Sequence, residues 1–176
     1  GTDFPLEANF AGGTFTAKKG GYAFYETDNQ NTTAREEIAA NIAGGAFTGG
    51  VESQNLKEFI TGGTFSAALP VEYLGEGIAQ QVGESTVTVA AAEEIEAMSD
   101  SVAMLNGKTA FTTLQAAFDA AEGEATITLL KDIGSEQTPA TETSSIVFDK
   151  AGANVTFDLN GHSLYLTNGT VDVNNG

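Results

Sequence analysis

One short pattern occurs three times in the chain, as Ala11-Gly12-Gly13-Thr14-Phe15-Thr16, Ala43-Gly44-Gly45-Ala46-Phe47-Thr48 and Thr61-Gly62-Gly63-Thr64-Phe65-Ser66. Each copy reads two glycines, a small residue, Phe and a hydroxyl residue. Phe15 and Phe47 are 32 positions apart and Phe47 and Phe65 are 18 apart, so the unit recurs without a fixed period. Paired glycines permit positive φ and close backbone approach, which marks a tight corner. The residues that follow read as a short strand with Phe turned inward and hydroxyls outward. Corners and strands of this kind stack into a solenoid, Phe upon Phe.

The last third of the chain carries clearer local signals. Val102 to Leu105 and Lys108 to Phe111 are two short strands around Asn106-Gly107, a strong two-residue hairpin signal. Thr112 then opens a helix, with Gln115 three residues on completing a capping box. Leu114, Ala117, Phe118 and Ala121 fall at i, i+3, i+4 and i+7, one apolar stripe, and Gly123 supplies the stop. The spacing predicts a helix over about 113–122 that buries Leu114, Phe118 and Ala121 over Ile127 and Leu129. Strands follow at 125–130, 145–148, 155–159, 164–166 and 171–173. Asn160-Gly161 and Asn168-Gly169 punctuate the last three with residues suited to left-handed turns.

Between these regions the chain is acidic. From Glu58 through Gly107 there is no Lys or Arg, while Glu72, Glu76, Glu84, Glu93, Glu94, Glu96 and Asp100 are all acidic. Ser85 to Val89 alternates as a strand. Ala90 to Ala97 has helical composition but few large apolar anchors, so the stretch reads as a linker. The expected organisation is solenoid coils over 1–90, an acidic linker over 91–101, and a hairpin, capping helix and first coils over 102–176.

Phe111 through Ala121, the strand Ala125-Thr126-Ile127-Thr128-Leu129-Leu130-Lys131-Asp132, and Val155-Thr156-Phe157-Asp158-Leu159-Asn160-Gly161 together carry a family resemblance. The segment resembles the start of right-handed parallel β-helix modules in large secreted or wall-attached bacterial surface proteins. Those modules open with a hairpin, a short capping helix and two strands of this kind. The Gly-Gly-Thr-Phe-Ser segments resemble later coils of such proteins, where they precede a Tyr-containing tail like Val71-Glu72-Tyr73. The resemblance implies an all-β fold of right-handed parallel β-helix coils with one short capping helix, located extracellularly or at a cell surface. It implies little about activity, since related solenoids include polysaccharide lyases and hydrolases.

Composition narrows the functional classes. Seven Lys and Arg against 24 Asp and Glu give a formal charge of −17 over 176 residues. Such a surface repels phosphate backbones and anionic headgroups, which disfavours nucleic-acid and membrane-surface binding. The absence of Cys removes disulfides, thiolate metal sites and cysteine nucleophiles together. No apolar run approaches the ~20 residues of a membrane helix. The chain opens Gly1-Thr2-Asp3-Phe4 without an initiator Met or a signal peptide, and reads as an excised piece of something larger.

Candidate chemistry is sparse. His162, the single His, has Asp158 nearby in sequence for a general-base pair, but its setting, Asn160-Gly161-His162-Ser163, reads as a surface turn. A lyase needs cationic groups to stabilise a developing enolate; the one Arg, Arg35, is followed directly by Glu36 and Glu37. The carboxylate runs read as solvated faces, and Lys18-Lys19 beside Gly20-Gly21 as a solvated turn. No catalytic residue, metal ligand or cofactor is assigned, beyond adventitious Ca²⁺ on an acidic surface.

The leading ligand-binding candidates are Tyr22 and Tyr25. In Tyr22-Ala23-Phe24-Tyr25, alternation places Tyr22 and Phe24 on one strand face and Tyr25 on the other. Exposed Tyr stacks on sugar rings through its apolar face and polar rim; the competing reading has these rings filling or capping the solenoid interior.

The expected function is a non-catalytic structural or adhesive module of a large extracellular bacterial surface protein. The alternatives are a glycan-binding module and a fragment of a β-helix carbohydrate-active enzyme. Expected partners are neighbouring modules of the same parent protein, an extracellular glycan or a host surface. The strand 171–173 leaves an open coil end that needs a mate such as Asn9 to Thr16, either of the same chain in one compact body or of a neighbour in head-to-tail self-association.

Overall fold

The structure is a computed structural model that describes residues 6–27, 38–138 and 146–166, and the backbone of 171–173. Among the described residues strand predominates over two short α-helices, so the fold is all-β, and it is a β-solenoid of about five turns. The chain divides into two compact units, Gly1–Ile95 and Glu96–Gly176.

The first unit contains β1 (Leu6–Thr16), β2 (Tyr22–Glu26), β3 (Ile38–Thr48), β4 (Gly50–Ser53), β5 (Gly63–Phe65), β6 (Ile78–Val82) and β7 (Val87–Ala91). β1 pairs in parallel with β3, and β3 with β5, which places Phe15 opposite Phe47 and Phe47 opposite Phe65. Adjacent strands lie ~4.8 Å apart, which is also a favourable stacking distance for aromatic rings. Equivalent rings in successive turns therefore meet face to face: Phe15 and Phe47 are 4.6 Å apart at 13°, and Phe47 and Phe65 are 5.1 Å apart at 12°. A second column runs beside the first. Phe10 sits opposite Ile42, and isolated parallel bridges continue from Ile42 to Ile60 and from Ile60 to Leu74. Ile42, Ile60 and Leu74 are fully buried.

The glycine pairs supply the corner through two separate effects. The second glycine of each pair has positive φ, 100° at Gly13, 112° at Gly45 and 118° at Gly63. The first lies against the backbone of the turn before it. A Cβ at Gly44 would stand 2.9 Å from the Ala11 carbonyl oxygen, and one at Gly62 only 2.6 Å from that of Ala43. Gly12 has open space around it within 4 Å.

Beyond β5 the strand pairing turns antiparallel, while the second column still reaches Leu74 by a parallel bridge. β7 joins β5 antiparallel and pairs with β6 in a hairpin, so this end departs from the all-parallel coil expected from the sequence. Beneath it the fully buried Gln80 side chain bonds the Leu69 N–H and C=O, both at 2.9 Å, standing in for a strand partner. Within the stretch expected as a linker, Ala92–Glu96 forms the helix α1, anchored by the buried Ile95. The boundary between the units falls directly after Ile95.

The second unit contains β8 (Ala103–Leu105), β9 (Thr109–Phe111), α2 (Leu114–Ala120), β10 (Glu124–Leu129), β11 (Ile146–Phe148), β12 (Asn154–Asp158) and β13 (Val171–Val173). The β8–β9 hairpin turns on Asn106 and Gly107, both left-handed at φ 51° and 65°. β10 pairs antiparallel with β8 and parallel with β12, and β11 pairs parallel with β13. Leu114, Ala117, Phe118 and Ala121 are all buried, as are Ile127 and Leu129, so the stripe predicted for the helix faces inward. Phe118 meets Phe148 at 5.8 Å and Phe157 at 5.5 Å.

The helix start differs from the capping-box expectation. Thr113, not Thr112, is the N-cap, and its hydroxyl accepts the Ala116 N–H at 3.2 Å. Gln115 is drawn away from the cap to the neighbouring strand, where its amide bonds both the N–H and the C=O of Val147. The turn expected at Asn168-Gly169 and the side chains of 171–173 lie outside the described residues.

Candidate binding surface on β2 and β4

β2 and β4 pair in parallel with Tyr22 opposite Gly50, Phe24 opposite Val51, Tyr25 opposite Glu52 and Glu26 opposite Ser53. The register slips between Tyr22 and Phe24, so Ala23 is an extra residue without a counterpart on β4. A bulge of this kind shifts the alternation of side chains by one position. Tyr22 and Tyr25 consequently share one face, which corrects the expectation that they lie on opposite sides. They are 53% and 51% exposed and stack on each other with centroids 4.9 Å apart at 28°. They therefore do not fill the interior. Phe24 does, packing 5.3 Å from Phe59 and edge-on to Phe10 at 5.8 Å.

Gly50 makes room for the outer pair. A Cβ there would lie 2.6 Å from Tyr22 Cδ1, so the ring lies directly over the bare backbone of β4. The Glu52 carboxylate, as a nearby acceptor and negative charge, raises the Tyr22 phenol pKa above its usual value.

The inward side of the same strands is locked by a buried carboxylate. Glu26 is 8% exposed. Its Oε2 accepts Ser53 Oγ at 2.7 Å and the backbone N–H groups of Gln54 at 3.1 Å and Asn55 at 2.9 Å, while Oε1 accepts Asn55 Nδ2 at 2.9 Å. Burial pushes the Glu26 pKa up, but the hydrogen bonds from Asn55, Ser53 and Gln54 outweigh it and hold the carboxyl below its ordinary value. Ser53 Oγ in turn accepts the Leu56 N–H at 2.8 Å, and the buried Tyr73 hydroxyl bonds both the N–H and the C=O of Ser53 at 3.0 Å. The platform thus stands on a rigid floor.

The sequence did not single out Glu26, Glu52 or Ser53, and Tyr73 entered only as part of the Tyr-containing tail. For Glu26 a signal existed: two residues after Phe24 in a strand, it shares the inward side of that ring.

The remaining candidates stay apart from this surface. His162 Nδ1 lies 3.5 Å from Asp132 Oδ1, which also accepts the Ser163 N–H at 2.8 Å. Asp158, the carboxylate nearer in sequence, instead accepts the Asn160 N–H at 2.8 Å. His162 is therefore part of a surface turn closed by Asn160 and Gly161, both with positive φ. Glu93, Glu94, Lys18 and Lys19 are exposed, and Arg35, Glu36 and Glu37 lie outside the described residues. Among the described residues no group of three His, Asp or Glu is arranged to hold a metal. Compared with protein-family models, curated proteins and solved structures, the chain matches none of them.

Proposed function

We propose that this chain is a non-catalytic structural or adhesive module of a large extracellular bacterial surface protein, of the right-handed parallel β-helix kind. The observation that carries this reading is the in-register ladder of Phe15, Phe47 and Phe65 on its glycine corners. Its repeated pattern serves the stacking of turns, and the acidic exterior keeps an extended array soluble. Neighbouring modules of the parent protein and head-to-tail contact between open coil ends are the partners this reading implies; it requires no cofactor, and Ca²⁺ on the surface is adventitious. Incubation with a polysaccharide panel tests it: release of reducing ends would favour a β-helix carbohydrate-active enzyme instead.

A second reading is glycan recognition, favoured by the exposed, mutually stacked Tyr22 and Tyr25. Binding to a glycan array, with a Tyr22→Ala/Tyr25→Ala variant alongside, is its test. Selective binding lost in the variant supports it; binding that survives the double change places recognition on another face.

A further inference from the structure

We infer that Tyr22, Tyr25 and Glu52 form one recognition site whose preferred ligand is a glycan carrying free amino groups, with a pyranose ring laid on the tyrosines and its ammonium against the Glu52 carboxylate. The inference rests on the glycan-binding reading of the tyrosine pair and adds to it a third residue and a ligand class.

Three observations place the carboxylate in the site. Glu52 lies opposite Tyr25 in the β2–β4 register, one strand spacing away. Alternation along β4 turns Val51 toward the core and therefore puts Gly50 and Glu52 on the side where both rings lie. The Glu52 carboxylate is also near enough to the Tyr22 hydroxyl to raise its pKa. An ionised carboxylate has about four lone-pair sites, which gives it capacity for an ammonium even with a phenol close by. Among the described residues no Lys or Arg is paired with Glu52.

The chemistry of the three groups selects one class of sugar. The flat tyrosine surface suits the C–H face of a pyranose, and the negative face of each ring also attracts a cation. A half-buried carboxylate beside the rings strengthens the bond to an ammonium through charge. The same carboxylate, on a chain of formal charge −17, repels a uronate. The rings are stacked and the strands beneath them are clamped by Glu26, so little ordering accompanies binding.

The test is titration calorimetry of the full chain at physiological ionic strength with four probes of matched length. These are a glucosamine tetramer, its fully N-acetylated counterpart, a galacturonate tetramer and tetralysine. The glucosamine tetramer is expected to bind about fivefold tighter than the N-acetylated one, the scale of a partly exposed ion pair. The galacturonate tetramer is expected to give no signal. Glu52→Gln is expected to bring the ratio of the first two close to one. Tyr25→Ala is expected to abolish binding of both, and Gly50→Ala to weaken both by displacing the Tyr22 ring while every aromatic remains. Unchanged circular dichroism in each variant establishes that the fold is intact.

Equal, tyrosine-dependent affinity for the amino and N-acetylated tetramers would overturn the inference and leave the glycan reading standing. Tetralysine binding as tightly as the glucosamine tetramer, with the same tyrosine dependence, would overturn the sugar class in favour of a basic peptide. Absence of binding to every tetramer, or binding unmoved by Tyr25→Ala, would overturn the glycan reading and the inference with it.

Discussion

Ser53 Oγ donates a hydrogen bond of 2.7 Å to Glu26 Oε2, joining the end of β4 to the end of β2 across 27 residues of chain. The carboxylate collects two backbone N–H groups and the Asn55 amide besides, so the turn after β4 is organised around one buried charge. A charged group this deep is tolerated because its oxygens are satisfied.

Glu26→Gln replaces an acceptor-only carboxylate with an amide that aims a donor at two N–H groups. The expected loss is about 2 kcal/mol, the scale of hydrogen bonds to a buried charged group. Because the Glu26 pKa is lowered on folding, its contribution is present above the ordinary value of 4.5 and is lost as pH falls through the folded-state value. Denaturant midpoints across a pH series from neutral to acid are therefore expected to fall less steeply below that point in Glu26→Gln than in the parent. Parallel curves would contradict this role.

Gly62→Ala is expected to destabilise by about 1–3 kcal/mol, since its Cβ has only the Ala43 backbone to displace. Gly12→Ala, in the same sequence motif but with open space around it, is expected to stay within about 0.5 kcal/mol of the parent. Scanning calorimetry of the two variants reads the difference directly, and equal effects would remove the stacked-corner explanation.

Thr113→Ala is expected to cost about 1 kcal/mol through loss of the N-cap of α2. Thr112→Ala serves as the comparison, because its hydroxyl does not cap the helix. A larger effect at Thr112 in urea denaturation would restore the capping box that the sequence suggested.

Phe47→Ala opens the centre of the aromatic column and is expected to cost about 3–5 kcal/mol. Phe15→Ala removes a half-buried ring that, among the described residues, stacks on one side only, so its expected effect is clearly smaller. Chemical denaturation with intrinsic Tyr fluorescence measures both.

Much of the fold was legible because it is written locally. The glycine pairs announced corners, Asn106-Gly107 announced a hairpin, and Leu114, Ala117, Phe118 and Ala121 marked the buried face of a helix. Wherever a residue's role depends on a distant partner, the sequence was silent. Nothing near Gln115 points to Val147, 32 residues away, and the helix cap moved to Thr113 accordingly. The tyrosine pair failed for another reason. Alternation presumes an unbroken strand, and the unmatched Ala23 breaks it, so Tyr22 and Tyr25 were assigned to opposite faces where they share one. Glu52 comes beside Tyr25 only through pairing with a strand far along the chain.

The glycine corners have a consequence for how such a chain gains and loses sequence. Three rungs are joined by connections of different length, since 32 positions separate Phe15 from Phe47 and 18 separate Phe47 from Phe65. Yet both ring pairs lie parallel to within 13°. Register at the Gly44 and Gly62 corners is thus fixed by the backbone of the turn before, independently of how far the chain travels in between. The connections can therefore differ in length while the ladder stays the same, even though they also supply core residues such as Phe24, Ile42, Phe59 and Ile60.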